Sequence, residues 1–277
     1  MSIRKKQNDE HILKLQYAAR HSYNLAELLG LFSWLLTFII ILISWFDNGA
    51  NPDVIAYIVA IITILNSAVD YLRNKSINMA SSIRAYIDYT LFNMNSKKVY
   101  NGLTIDIINK FGDIIANLHK KTYLKQISNS GTDVYKGVKD WYTLSDGMTT
   151  DEEIVSAQKE NCGFDKNISR DSIIISIILF AVFAFCIIKL DQKFLLICAF
   201  LPVGFKIIKS IIDYYEYKKI YDEEKIIISK LDDYGYDEKL SIQLQECINE
   251  RRQLSFVTFS FIHKLKAKYM HHKIKKD

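Results

Sequence analysis

Four stretches of the chain are apolar and almost free of charge, and strongly charged sequence separates them. The first three contain no charged residue, and the fourth contains only Lys206 and Lys209. At about 1.5 Å per residue, helices of this length match or approach the hydrocarbon core of a bilayer, which is about 30 Å thick. The pattern therefore predicts four transmembrane helices, at 28–46, 54–69, 172–188 and 194–212.

The distribution of Lys and Arg predicts how these helices are oriented. The loop between the first two helices has none, and the loop between the last two has only Lys189 and Lys193 of the 36 in the chain. By the positive-inside rule, both termini and the segment 73–171 are then cytoplasmic. Lys206 and Lys209 lie near the cytoplasmic end of the fourth helix, where we expect their long side chains to reach the headgroups.

The sequence outside the membrane is long enough to need its own core, and its periodicity is helical. Apolar residues recur at helical spacing in 74–92 and 103–118. The predicted fold class is an all-α integral membrane protein, in which two transmembrane helical hairpins join a helical cytoplasmic domain built from the N-terminal, central and C-terminal segments. The predicted boundaries are 1–24 for a cytoplasmic N-terminal helix, 25–72 and 172–212 for the hairpins, 73–171 for a cytoplasmic helical region, and 213–277 for C-terminal helices with a basic tail.

Local signals indicate where further helices begin and end. Thr150 and Glu153 have the spacing of a capping box, which predicts a helix that continues toward Cys162. The segment 128–147 is rich in Gly, Asp, Ser and Thr and predicts a loop. The fourth membrane helix keeps its helical rhythm to about Leu231, and a further helix follows a short polar turn.

The C-terminal stretch 251–276 is strongly basic. It contains eight Lys or Arg and three His but no acidic residue, and its apolar residues fall on a helical face beside the basic one. This pattern predicts a basic amphipathic helix. Such a helix can lie on the anionic lipids of the inner leaflet, or it can bind a phosphate-rich ligand. The sequence leaves both alternatives open.

No motif in the sequence indicates catalysis. The chain lacks the glycine-rich phosphate loops, the HExxH zinc motif and the GxSxG nucleophile elbow. Its four cysteines do not have the spacing of a zinc site, and a net charge of +5 is too small to indicate a nucleic-acid-binding protein by itself. We therefore predict no enzyme activity, no cofactor and no metal site.

Polar residues follow one face of each of the first two membrane helices. Within a bilayer such faces turn inward, either to hydrogen-bond between helices or to line a water-filled path. The second reading predicts a pore. Because four helices of one chain leave no aqueous path, it also predicts a homo-oligomer, most simply a tetramer. The predicted pore-lining residues are Ser33, Thr37, Ser44, Thr63, Asn66 and Asp70.

Several separated pieces of the chain match one known family. They are Gln7-Asn8 and Ala18-Ala19-Arg20 ahead of the first membrane helix, Asp88 and Leu91-Phe92 after the second, Gly137-Val138-Lys139-Asp140-Trp141-Tyr142 and Gln158-Lys159-Glu160-Asn161 before the third, and Leu244-Gln245-Glu246 with Arg251 after the fourth. With these pieces in this order, the chain resembles the SMODS-associated four-transmembrane pore-forming effectors of bacterial antiphage defence. It departs from them at Arg84-Ala85, where the family often has Gln-Glu.

The resemblance implies a switch in the bacterial inner membrane. A nucleotide or oligonucleotide signal from a partner nucleotidyltransferase acts on the cytoplasmic domain, and the membrane part then depolarises the inner membrane and causes abortive infection. The signal is either a cyclic oligonucleotide that opens the pore or a linear DNA oligomer that holds it shut. The alternative from another class of protein is a membrane-anchored helical scaffold or docking protein with no pore.

A nucleotide signal would be recognised by aromatic and cationic side chains. Trp141 and Tyr142 beside Lys139 offer an aromatic face and a cation, and arginines offer bidentate phosphate contacts. Trp141 can equally be a packing anchor between helices, and Arg170 can equally be a positive-inside residue. The predicted signal-binding residues are Lys139, Trp141, Tyr142, Arg170, Arg251 and Arg252.

Overall fold

The computed structural model describes residues 2–45, 52–94, 99–131, 133–164, 178, 181 and 193–254. Within these residues the chain forms eight helices and one two-stranded sheet, so the helical fold class is confirmed there. The predicted third membrane helix, apart from residues 178 and 181, and the basic tail from 255 onward lie outside the described residues. The elements are α1 (Ile3–Lys6), α2 (Glu10–Trp45), α3 (Pro52–Leu91), β1 (Val99–Tyr100), β2 (Leu103–Thr104), α4 (Ile105–Leu118), α5 (Lys120–Ile127), α6 (Thr150–Phe164), α7 (Lys193–Tyr234) and α8 (Glu238–Gln253).

Three of the helices are much longer than a bilayer is thick. α2, α3 and α7 have 36, 40 and 42 residues, which corresponds to about 54–63 Å at 1.5 Å per residue. Two segments within the described residues, Glu10–Ile40 and Asp53–Leu91, are long and apolar enough to cross a membrane. α7 contains the predicted fourth membrane helix and continues to Tyr234, three residues beyond the predicted Leu231.

The described residues divide into two compact units. We call the first the core unit; its described part comprises 2–25, 75–94, 99–131, 133–164 and 217–254. We call the second the apolar unit; its described part comprises 26–45, 52–74 and 193–216, with the isolated residues 178 and 181. α2, α3 and α7 each contribute residues to both units.

The core unit has two clusters of buried apolar side chains. The larger cluster draws on α1 to α6 and includes Leu15, Ile83 and Ile108, which are almost inaccessible to solvent. The smaller cluster forms where α6, α7 and α8 pack, around Leu244 and Ile248. These helices are therefore held by ordinary hydrophobic burial, as in a soluble domain.

A short β-hairpin precedes α4, and helical periodicity did not predict it. β1 and β2 pair antiparallel, and the turn between them has positive φ at both Asn101 (49°) and Gly102 (82°). That combination is typical of a two-residue type I′ hairpin turn. The helix predicted to begin at 103 begins instead at Ile105, because Leu103 and Thr104 pair with β1 and the Thr104 hydroxyl then caps the helix by accepting from Ile107 N.

The capping box of α6 is one residue earlier than the sequence predicted. Thr149, rather than Thr150, forms it: Oε2 of Glu152 accepts from Thr149 N at 2.7 Å, and Thr149 Oγ1 accepts from Glu152 N at 3.4 Å. Glu153 was the predicted partner, but it is buried and accepts a hydrogen bond of 2.7 Å from Ile3 N. Its carboxylate therefore joins α6 to the first turn of α1 instead of closing the cap.

The apolar unit has the opposite arrangement to a soluble domain. Large apolar side chains on α2 and α3, such as Leu28, Phe38 and Ile64, are exposed. The polar residues Ser33 and Asn66 of the same helices are only 2% and 3% exposed. Polar groups that turn inward under an apolar surface are what a lipid environment requires, since lipid offers no hydrogen bonds.

Candidate functional site

A cluster of polar side chains lies between α2 and α3 in the apolar unit. Ser33 Oγ is 2.6 Å from Oδ1 of Asn66 and 2.5 Å from Oδ1 of Asp70. The Asn66 amide donates to Thr37 Oγ1 at 3.0 Å, and the Thr37 hydroxyl donates to Ser33 O at 2.9 Å. These bonds place four of the predicted pore-lining residues in one contact group.

Lys206 of α7 adds its ammonium group to this cluster. The Nζ atom lies 2.9 Å from Asn66 Oδ1, 3.1 Å from Thr37 Oγ1 and 3.5 Å from Asp70 Oδ2. It also contacts both the carbonyl and the hydroxyl oxygen of Ser33. The expectation that Lys206 reaches the headgroups is therefore wrong: its side chain is only 17% exposed and turns toward the polar faces of α2 and α3.

The other two predicted pore-lining residues are placed differently. Thr63 is half-buried, and its hydroxyl donates to Val59 O at 2.8 Å within its own helix. The side chain of Ser44 lies outside the described residues. Of the pore-lining residues predicted on α3, only Asn66 and Asp70, one helical turn apart, thus join the described polar cluster.

A small cavity adjoins the polar cluster. Its volume is about 70 Å³, and its lining includes Gly30, Ser33, Asp70, Arg73, Lys206 and Asp213. The Arg73 guanidinium interacts electrostatically with the carboxylates of Asp70 and Asp213. A side chain at Gly30 would place its Cβ 3.1 Å from Arg73 Nε, so this glycine leaves room for the guanidinium beside α2. The cluster therefore opens onto a charged recess.

A second polar network is buried in the core unit, centred on Asp88 of α3. Oδ1 of Asp88 accepts from the Tyr142 hydroxyl at 2.6 Å, and Oδ2 accepts from Arg252 Nη1 at 2.7 Å and from Gln245 Nε2 at 3.0 Å. Asp88 itself is fully buried. A buried carboxylate with three donors is well satisfied, which is the condition under which a buried charge is tolerated.

The network extends from Tyr142 to Gln7 near the N-terminus and to Arg251 of α8. Its backbone N–H donates to Gln7 Oε1 at 2.8 Å, and its hydroxyl accepts from Asn161 Nδ2 at 3.0 Å. The backbone oxygen of Asn161 accepts from Arg251, whose Nε is 2.8 Å from Oε1 of Glu224. The pieces that carry the family resemblance, far apart in sequence, thus meet in one hydrogen-bonded network.

Burial and charge act together on the ionisable groups of this network. Burial, and then the negative charge of Asp88, raise the pKa of Tyr142 far above its usual range. For Arg252 burial opposes the charged form, but Asp88 and the neighbouring tyrosines outweigh it and raise the pKa of the guanidinium. Tyr142 therefore stays a neutral donor and Arg252 a permanent cation at every physiological pH.

Arg84 is a buried arginine of the core unit that stacks on an aromatic ring. Its guanidinium carbon lies 3.6 Å from the centre of the Trp141 ring, within cation–π distance. Its Nη1 atom is buried and has no hydrogen-bond partner within the part of the chain that is described. The like charge of Arg252 and the opposite charge of Asp88 both act on this guanidinium. Sequence reasoning noted this arginine only as a departure from the family pattern.

The predicted signal-binding residues fall into two groups. Lys139 is exposed and Trp141 is half-buried, so both are accessible to some degree. Tyr142, Arg251 and Arg252 are buried or nearly so, and their polar atoms bond to other residues of the network. Arg170 lies outside the described residues. A ligand that contacted the second group would have to displace their present partners.

Sequence reasoning missed the residues that hold each of the two polar groups together. Asp88, Asn161 and Gln245 appeared as parts of family motifs, but nothing local indicated that they bond to one another or to Tyr142. Lys206 was interpreted as a headgroup contact. The sequence feature that could have identified such residues is a polar or charged side chain within an otherwise apolar helical face. No group of His, Cys, Asp and Glu suited to a metal ion occurs among the described residues.

Inward polar groups beneath an exposed apolar surface, together with a helical unit that has its own core, define a helical membrane protein. The whole chain, residues 1–277, matches the family model of the SMODS-associating 4TM effector domain, and the chain belongs to that family. It is thus a membrane effector of SMODS-associated defence, and this association implies a nucleotidyltransferase partner system. Comparison with curated proteins and with solved structures found no match.

Proposed function

We propose that this chain forms a pore in the bacterial inner membrane that a nucleotide or oligonucleotide signal opens or holds shut. The observation that carries the proposal is the polar cluster of Ser33, Thr37, Asn66, Asp70 and Lys206 inside an apolar unit. Three buried polar side chains and two partly buried opposite charges are costly inside a membrane, and residues of this kind usually mark a functional path. Depolarisation of the inner membrane and abortive infection follow from opening such a path.

The arrangement of the cluster corresponds to a closed state. Lys206 links α7 to α2 and α3 through its contacts with Thr37, Asn66 and Asp70, and these contacts fill the space between the polar faces. A conducting path needs the polar faces of several copies around one axis, because one chain packs its polar face internally. A symmetric homo-oligomer, most simply a tetramer, meets this need. A ring of Asp70 carboxylates would favour cations.

The signal is proposed to act on the core unit. Lys139 and Trp141 are the residues that can meet a ligand directly, through a phosphate and a base respectively. Tyr142, Arg251 and Arg252 are buried or nearly so, and we expect them to hold the site in place through the network around Asp88. Because α2, α3 and α7 contribute to both units, a change in the core unit has three continuous helices through which to reach the polar cluster.

The pore is tested by expressing the chain in bacteria and following the membrane potential with a voltage-sensitive dye, with and without the partner nucleotidyltransferase. Asn66→Leu and Asp70→Leu should weaken depolarisation without lowering the amount of protein in the membrane. Ser67→Leu is the matched control, because Ser67 is exposed on the same helix and its hydroxyl donates to Thr63 O of that helix. Protein that assembles and binds its signal but passes no current in planar bilayers would favour the scaffold alternative.

The signal-binding residues are tested with purified protein and a panel of cyclic oligonucleotides and short linear DNA oligomers. For a ligand that binds, Lys139→Ala should weaken affinity and reduce the slope of log affinity against log salt by about 0.7–0.9 for each lost phosphate contact. Lys136→Ala, a change at another exposed lysine of the same loop, is the control. Equal affinities for Lys139→Ala, Trp141→Ala and the unchanged protein would remove both residues from the site.

The proposed topology has both termini and 73–171 in the cytoplasm. A cysteine at Asn129, in a chain whose four native cysteines are replaced, should resist an impermeant thiol reagent in intact cells. A cysteine at Asn48 should react. The reverse pattern would overturn the orientation while leaving membrane insertion intact.

A further inference from the structure

The environment of Lys206 Nζ is richer in oxygen than an ammonium group needs. Five oxygen atoms lie within 3.5 Å of it: O and Oγ of Ser33, Oγ1 of Thr37, Oδ1 of Asn66 and Oδ2 of Asp70. We call these five atoms the oxygen cradle. A lysine ammonium has only three N–H donors, so it cannot make directed hydrogen bonds to all five at once. Five oxygens around a single positive charge have the form of an ion's coordination shell.

The chemistry of the cradle selects the class of ion. One of its oxygens belongs to a carboxylate, and the other four are neutral carbonyl, hydroxyl and amide oxygens. Divalent cations such as Ca²⁺ are usually held by several carboxylates. Carbonyl and hydroxyl oxygens that replace a hydration shell are typical of monovalent cation sites. An ammonium group is close in size to K⁺, so a shell that fits one suits the other.

We propose that the oxygen cradle is a binding site for a monovalent cation of the size of K⁺, and that Lys206 occupies it as a tethered cation. When the lysine withdraws, a free ion takes its place. The role of this exchange in gating rests on the proposed pore function, whereas the site itself does not. In the proposed oligomer, Lys206 in the cradle would hold α7 against the polar faces of α2 and α3 in the closed state, and signal-driven movement of α7 would vacate the cradle.

The molecule has room for this exchange. The cavity of about 70 Å³ borders Ser33, Asp70 and Lys206 and can hold several waters at about 10–15 Å³ each. The charged groups that line this cavity are Asp70, Asp213, Arg73, Lys206 and Lys209. Asp70 faces both Lys206 and Arg73, and Arg73 divides its interaction between Asp70 and Asp213. Removal of the Lys206 ammonium takes its ion-pair contact from Asp70 and leaves the five oxygens of the cradle facing one another, an arrangement that a free cation would stabilise.

The test uses the full chain purified in detergent. The temperature of thermal unfolding is measured for the unchanged protein and for Lys206→Ala, in KCl and in N-methylglucamine chloride at equal ionic strength. Lys206→Ala should unfold at a lower temperature in N-methylglucamine, and K⁺ should raise that temperature with the logarithm of its concentration above the dissociation constant. The unchanged protein should show no such dependence, because its own ammonium fills the cradle.

Three controls isolate the site. Lys209→Ala removes a lysine of the same helix that also borders the cavity, and it should create no K⁺ dependence. The double variant Lys206→Ala/Asp70→Asn should lose the K⁺ effect. Ethylammonium, which carries the missing ammonium on a short carbon chain, should stabilise Lys206→Ala as K⁺ does. If Lys206→Ala does not fold in any salt, Lys206→Met keeps the aliphatic stem, and the same K⁺ dependence is expected of it.

The outcomes separate the site from the pore. Folded Lys206→Ala or Lys206→Met that gains no stability from K⁺ would overturn the cation site, and so would stabilisation by Ca²⁺ or Mg²⁺ alone. Saturable K⁺ stabilisation supports the site whether or not the protein conducts. Absence of current in planar bilayers, with K⁺ stabilisation intact, would count against the proposed pore and leave the cation site standing.

Discussion

Nη1 of Arg252 lies 2.7 Å from Oδ2 of Asp88, and the two residues are 164 positions apart in the chain. Asp88 belongs to α3 and Arg252 to α8, so this ion pair links the last described helix to α3, one of the three longest helices. Arg84 lies one helical turn before Asp88 and is also buried, but it stacks on Trp141. The same part of the core unit thus contains a paired and a stacked arginine.

The first prediction compares these two arginines with one substitution. Arg252→Met should lower the free energy of unfolding by about 3–5 kcal/mol, because it leaves the buried Asp88 carboxylate without its cation. Arg84→Met should cost about 1–2 kcal/mol at most, the size of a desolvated cation–π contact, since no carboxylate loses a hydrogen bond. Chemical denaturation of the purified chain, followed by circular dichroism, measures both.

The double variant Asp88→Asn/Arg252→Met completes the comparison. Removing both charges should recover part of the stability that Arg252→Met loses, because neither partner is then left buried and alone. An equal loss for Arg84→Met and Arg252→Met, with no recovery in the double variant, would show that the ion pair contributes no more than packing.

Periodicity along the chain was sufficient to predict helical segments but not the full length of each helix or its partners. The apolar stretches and the helical spacing predicted the continuation of α7, and they predicted α2 and α3 as separate pieces on either side of 24/25 and 72/73, whereas each is one continuous helix. The hairpin of β1 and β2 was missed, since two-residue strands have no measurable period. The turn dipeptide Asn101-Gly102 was its only local signal.

Partners that lie far apart in sequence could not be predicted from local pattern. Tyr142 was identified as aromatic and accessible to a ligand, whereas its hydroxyl bonds to Asp88, 54 residues away. Lys206 was assigned to the headgroups on the general behaviour of lysine near helix ends. Its observed position depends on oxygens of α2 and α3 that become neighbours only when the helices pack. In both cases tertiary contacts determine the position of the side chain.

The second prediction concerns the loop that presents Lys139 and Trp141. A Cβ at Gly137 would lie 1.6 Å from Asn129 O, which no adjustment of a side chain can relieve, because the obstacle is backbone. Gly137→Ala should therefore break the hydrogen bonds of Gly137 N to Ser130 O and of Lys139 N to Asn129 O. We expect faster proteolysis of this loop and, for a ligand that uses Lys139, weaker binding.

Gly131→Ala is the matched control for this loop, because nothing lies within 4 Å of a Cβ at that position. It should leave proteolysis and binding unchanged. If Gly137→Ala behaves like Gly131→Ala, the close approach of the two backbone segments is not needed to hold the loop. Hydrogen exchange at the amides of 137–139 would then report no loss of protection, in contrast to our expectation.

The third prediction is a pH dependence of thiol reactivity at Cys247. Burial, and then the surrounding glutamates of α7 and α8, raise the pKa of this thiol to about 12 from its ordinary 9.0. Only the thiolate reacts with iodoacetamide. The alkylation rate of Cys247 in the folded chain should therefore keep rising with pH beyond 9, the point at which an ordinary thiol is already half ionised.

The measurement uses a chain in which Cys247 is the only cysteine, with Cys162 replaced by Ala and the two other cysteines by Ser. A second chain has Cys247 replaced as well and a cysteine at the exposed Gly131 as reference.

The raised pKa of Cys247 also makes the free energy of unfolding depend on pH. Because the folded pKa is raised, the unfolded chain loses its proton first, and stability that is complete below about pH 9 falls as the pH rises toward 12. Cys247→Ala should make the free energy of unfolding fall less steeply over this pH range. A Cys247 that reacts at pH 8 as fast as the reference cysteine would mean that the packing of α8 against α7 admits water and the reagent.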